Sequence, residues 1–178
     1  MYKRILVVVE RPETAKVAVK EGVALAAFHG ADLLFVHTFP RYVLPVAEAG
    51  PAVLSALEDF ERETRSKADQ LLSTATAAAR KAGVTSHVLT LSAADSAAAI
   101  VQTARQRRCS LIIAASEGRN AVMRMLAGSV IPRLITLATM PVMVCREATA
   151  LRKREAPAPR KRARRPAPGA AVAPIDEA

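Results

Sequence analysis

Glycine, serine and arginine converge on one stretch of this chain. Ala115-Ser116-Glu117-Gly118 is followed, after nine residues, by Gly128-Ser129 at the start of a helical pattern, with Arg119 and Arg124 between them. That spacing suits an anion. Glycine lets backbone N–H groups approach phosphate oxygens closely, and the first turn of a helix offers unpaired N–H donors with a partial positive charge. Ser129 can add its hydroxyl, and Arg119 is a cation of the kind that meets a polyphosphate. Gly and Ser serve equally well as turn and cap residues, so the spacing alone leaves both roles open. Other chemistries lack their residues. Ala114-Ala115-Ser116-Glu117-Gly118 misses the first glycine of a G-x-S-x-G nucleophile elbow, no lysine-bearing phosphate loop or G-x-G-x-x-G occurs, and Ser116 reads as a loop residue. His29, His37 and His87 lie far apart without a second ligand at metal spacing.

Two alternating periodicities must position these residues. Residues 3–9, 32–38, 84–91, 110–115 and 142–145 are short apolar runs of the kind that form strands buried on both faces of a parallel sheet. Helical patterns separate them. The first opens at Pro12, carries Ala15, Val19, Val23, Ala26 and Ala27 on one stripe, and stops at Gly30. The second follows a Pro-punctuated loop, carries Leu54, Leu57, Phe60, Leu71, Leu72, Ala75 and Ala79, and stops at Gly83. Asp95 is the N-cap of a third, with Arg105, Arg107 and Arg108 as its solvated end, and a fourth spans residues 129–138. This order implies an α/β fold: a five-stranded parallel sheet with helices on both faces. Ligands of such sheets bind beyond the carboxyl ends of the strands. The candidate positions are therefore Glu10 and Arg11, His37 and Thr38, Ser92 to Asp95, and residues 116–129.

Composition narrows the class further. With 51% hydrophobic residues in 178, the chain is neither disordered throughout nor collagen-like, and two cysteines, Cys109 and Cys145, are too few for a disulfide framework. Residues 5–9 are too short for the core of an export signal, and no uncharged stretch approaches the ~18 residues that span a bilayer. The net charge is +10, of which residues 151–178 hold eight Lys/Arg against three Asp/Glu, or +5. Five of the eleven prolines fall in the same stretch. Residues 1–147 are expected to be the folded domain and residues 148–178 a disordered Pro/Arg-rich tail capable of weak contact with polyanions.

The segments YKRILVVVE, LAAFHGADLLFVHTF, SLIIAASEGRNAVMRMLAGSV and MPVMVCR, in that order, resemble the universal stress protein family over residues 2–147. The family's ATP-binding subgroup carries G-x2-G-x9-G-[ST], which this chain matches at Gly118, Gly128 and Ser129, with Ala115 at the first glycine. Glu10 stands where the family usually has aspartate, and Ser92 where a glycine commonly follows strand three. The resemblance implies a Rossmann-like fold and an adenine-nucleotide site of Glu10, Thr38, Ala115, Gly118, Arg119, Gly128, Ser129 and Val130. Thr38 would contact adenine through its main chain. The implied ligand is ATP, with AMP or ADP as alternatives and Mg2+ accompanying the nucleotide. Also implied are a cytoplasmic stress-response role without dedicated catalysis and a homodimer through Val142, Met143, Val144 and Cys145. A dimeric scaffold of the same fold that binds no nucleotide is the competing expectation.

Overall fold

The computed structural model describes residues 2–40, 50–116 and 130–146. Strands and helices follow in the order β1 (Arg4–Val8), α1 (Pro12–His29), β2 (Asp32–Pro40), α2 (Pro51–Lys81), β3 (Ser86–Ala93), α3 (Ser96–Gln106), β4 (Leu111–Ser116), α4 (Val130–Leu137) and β5 (Val142–Arg146). All five strands pair in parallel in the order β3-β2-β1-β4-β5. The chain therefore builds outward from β1 to β3, returns across the sheet, and continues on the far side with β4. The strand order reverses between β1 and β4, which opens a crevice above their carboxyl ends.

Alternation along the strands sorts the core into two layers. Ile5, Val7, Val9, Leu33, Phe35, Leu111 and Ile113 pack against Ala15, Ala18 and Val19 of α1 and Leu72, Ala75 and Ala79 of α2. On the other face, Leu6, Val8, Leu34, Val36, Ile112 and Ala114 meet Ala97, Ile100, Val101 and Ala104 of α3 and Leu134 of α4. Burial on both faces explains why β1 and β4 read as continuous apolar runs. Helix α1 sits unusually close to its strand: a Cβ on Gly22 would stand 2.6 Å from Val7 Cγ2. Gly30 closes the helix in the left-handed conformation at φ 63°.

Several boundaries differ from the sequence expectation. Strand β3 starts and ends two residues later than the apolar run suggests, because β2 continues to Pro40 and offers partners through Ala93. Ser92 consequently pairs with Phe39 inside the strand rather than following it. Ala27 and Phe60, expected on apolar stripes, are exposed: α1 buries Ala15, Ala18, Val19, Gly22 and Ala26 instead, and α2 docks mainly through the half containing Ala68, Leu72, Ala75 and Ala79. Cys109 and Cys145 are both free and buried. Desolvation pushes the Cys109 thiol up to about 11 and raises that of Cys145. Among the described residues no helix is long and apolar enough to cross a membrane.

Candidate functional site

Glu10 leaves the sheet where β1 ends, and Thr38 stands beside it near the end of β2. The Thr38 hydroxyl donates to Glu10 Oε1 at 2.5 Å, joining residues whose strands were brought side by side by the β1–β2 register. Thr38 is only 8% exposed while Glu10 is half-buried, so the bond is partly shielded from water, and its carboxylate acceptor strengthens it. Its main chain is placed just as definitely. Val9 N–H donates to Val36 C=O at 2.8 Å, and main-chain groups alternate sides along a strand. Thr38, two residues on, thus turns its N–H and C=O toward the side of β1, at the level where β1 has already turned away into α1. His37 faces the other layer, its Nδ1 2.7 Å from Val9 C=O, which requires the proton on Nδ1. It is buried and hydrogen-bonded, a fastening for the turn after β1.

Across the crevice, Ser116 is the last residue of β4, in register with Arg146 of β5, rather than a loop residue. It shares the parity of Ile112 and Ala114, and therefore the sheet face that Glu10 and Thr38 continue beyond Val8 and Val36. Ser116 Oγ and Arg4 Nε are the two buried side-chain polar atoms without a hydrogen-bond partner among the described residues. An orphaned hydroxyl in a crevice is a group that a ligand could satisfy. Ala115 points the opposite way and packs against the α1/α2 layer. Its φ is not positive, since Arg108 is the one non-glycine residue with positive φ among those described. The methyl group that replaces a family glycine there neither strains the backbone nor enters the face carrying Glu10, Thr38 and Ser116.

Val130 opens α4 and packs its side chain into the α3/α4 layer, which leaves its main chain as the part able to meet a ligand. Gly118, Arg119, Gly128 and Ser129 lie outside the described residues, as do Glu117 and Arg124. The structure thus brings Glu10, Thr38 and the Ala115-Ser116 strand end to one crevice. Asp95 is the N-cap expected of it, accepting from Ala98 N–H at 3.2 Å, and it also pairs with Arg133 of α4. The Ala98 N–H and the Arg133 guanidinium together hold its carboxyl below the usual range. Arg105 is exposed, as expected of a solvated helix end, and from there it also reaches Thr139 Oγ1 at 3.2 Å and Leu137 C=O at 3.4 Å, tying α3 to the end of α4. Neither tie has a local sequence signal; the Asp95 cap, three residues from its partner, does. No group of three or more His, Cys, Asp or Glu suited to a metal occurs among the described residues.

Known proteins agree with this architecture. A universal stress protein family member from Burkholderia pseudomallei superposes with a TM-score of 0.59 at 26% identity, covering 81% of this chain and 96% of that one. A universal stress protein from Archaeoglobus fulgidus in complex with dAMP gives 0.55 at 20% identity over 80% of this chain and 97% of its own. A universal stress protein in complex with cAMP gives 0.60 at 16% identity over 82% of this chain and 97% of that one. The sequence model of the universal stress protein family matches residues 1–146, which is most of the chain. With strand order, crevice and sequence in agreement, the chain belongs to the universal stress protein family.

Proposed function

We propose that this protein binds an adenine nucleotide, ATP foremost, above the carboxyl ends of β1, β2 and β4, and acts as a dimeric cytoplasmic stress-response regulator whose output follows occupancy. The observation that carries the reading is the Thr38–Glu10 hydrogen bond at the point where the strand order reverses. It engages one carboxylate oxygen and leaves the other to accept from a ribose hydroxyl, the role an acidic residue plays in related nucleotide folds. The main-chain groups of Thr38 face the same opening and suit the edge of adenine. The orphaned Ser116 hydroxyl and the unstrained Ala115 backbone also fit a nucleotide. Gly118, Gly128, Ser129 and the main chain of Val130 would take the phosphates, with Arg119 as a cation and Mg2+ neutralising phosphate charge. The dAMP and cAMP complexes of the structurally similar proteins support the adenine class.

A cradle of this kind stabilises a ground state. Hydrolysis would need further interactions made only in the transition state, and signalling by occupancy needs none. Mass spectrometry of nucleotide released from natively purified protein tests the proposal. The expected result is a stoichiometric adenine nucleotide. Nucleotide-free protein that also takes up no ATP, AMP or ADP would establish the scaffold reading instead.

A further inference from the structure

A cavity of about 740 Å3 lies between α1 and α2 on the sheet face opposite the Glu10–Thr38 pair. Its walls are apolar: Ala15, Val19 and Val23 from α1 face Leu71, Ala75 and Ala78 from α2. Small side chains, Ala15, Ala24, Ala75 and Ala78, make up much of its lining. Its size falls within the ~300–1,000 Å3 typical of small-molecule sites, and the lining from Pro12 to Ala24 follows about 18 Å of helix.

The polar groups of this groove are one-sided. Lys16 and Lys20, spaced i,i+4, line the same flank. Among the described residues neither has an ion-pair partner, and none of those that line the groove is acidic. Thr74, the remaining polar residue of the lining, donates its hydroxyl to Gln70 C=O at 2.9 Å within its own helix. An apolar trough with two exposed ammonium groups on its rim, neither in an ion pair among the described residues, suits an amphipathic anion. Charge argues against other occupants: a second copy related by a two-fold axis would bring four lysines together, and the basic stretch RKRARR at residues 160–165 would be repelled.

We infer that the α1/α2 groove binds a medium-chain alkyl carboxylate, its chain along the alanine-lined floor and its carboxylate against Lys16 and Lys20. The inference is independent of the nucleotide reading. Its test is calorimetric titration of the full-length protein with dodecanoate below micellar concentration, with dodecyltrimethylammonium as the oppositely charged probe of equal chain length. Saturable binding of one dodecanoate per chain and no binding of the cation are expected. The double substitution Lys16→Glu, Lys20→Glu should weaken dodecanoate by about tenfold or more through loss and reversal of two ion pairs. Ala78→Trp, at an exposed wall position, should block it, with circular dichroism confirming that both variants fold. ATP affinity measured on the same samples should be unchanged, which separates this site from the crevice. Lack of saturation, equal binding of both probes, or binding unaffected by either variant would overturn the inference. So would a change of oligomeric state in the groove variants without dodecanoate binding, which would make the occupant a second copy.

Discussion

At the scale of single residues, the Thr38 hydroxyl decides where Glu10 can act. Without that donor the carboxylate, one methylene longer than aspartate, gains rotamer freedom and loses a bond to a charged acceptor. Thr38→Val keeps shape and main chain, and should lower ATP affinity about tenfold, a loss of roughly 1–1.5 kcal/mol, whereas Thr38→Ser should stay near wild type; isothermal titration calorimetry checks both. The buried Cys109 thiol makes a separate prediction. Its folded pKa of about 11 lies above the ordinary 9.0, so the protonated thiol stabilises the fold fully below pH 9 and progressively less as pH rises toward 11. Denaturant unfolding should show a loss of at most about 2 kcal/mol across that interval that is absent in Cys109→Val. Some of these details are legible in sequence and others are not. The Asp95 cap is local, hence readable; its pairing with Arg133 depends on two helices meeting 38 residues apart. Ser116 was readable in principle, since it extends the alternation of Ile112 and Ala114 by one more step.

Elements are held by close approach and by edges. Gly22 lets α1 lie on β1, and Gly22→Ala would drive a methyl group into Val7, a fully buried and β-branched side chain with little freedom to yield. Overpacking of roughly 1–3 kcal/mol outweighs the ~1 kcal/mol gained in helix propensity, so thermal unfolding should show a net loss that a second change, Val7→Ala, partly relieves. Strand β5 is a sheet margin, and the ladder defines which groups it leaves free. Ile112 N–H donates to Pro141 C=O, so residues 141, 143 and 145 face β4 while 142, 144 and 146 turn outward. If the homodimer forms through this edge, Val144→Pro removes an outward donor without touching the β4 ladder. Light scattering should then find folded monomers, and an unchanged dimer would exclude this interface. Strand and helix order follow from periodicity alone. The shifted limits of β3 do not, because they depend on how far β2 extends beside it.

For the molecule as a whole, parallel strands and one reversal of strand order determine where a ligand can sit, and that much is legible in the alternation of apolar runs with helical stripes. The depth of the α1/α2 groove is not, since alanine spacing reads equally as tight packing. Charge is distributed unevenly: half of the +10 belongs to residues 151–178, for which we propose salt-sensitive contact with polyanions. Truncation after Arg146 should leave the thermal transition and ATP affinity intact while abolishing retention on DNA at low salt. Unfolding of the shortened chain would move the domain boundary, and full-length protein that ignores DNA at low ionic strength would exclude the polyanion contact. The central claim is nucleotide binding in the crevice, and equilibrium dialysis of ATP against wild type and Gly128→Val tests it most directly. The account predicts one ATP per wild-type chain and none on the variant, whose branched side chain would occupy space required by phosphate. Equal binding by both, or none by wild type, would contradict it.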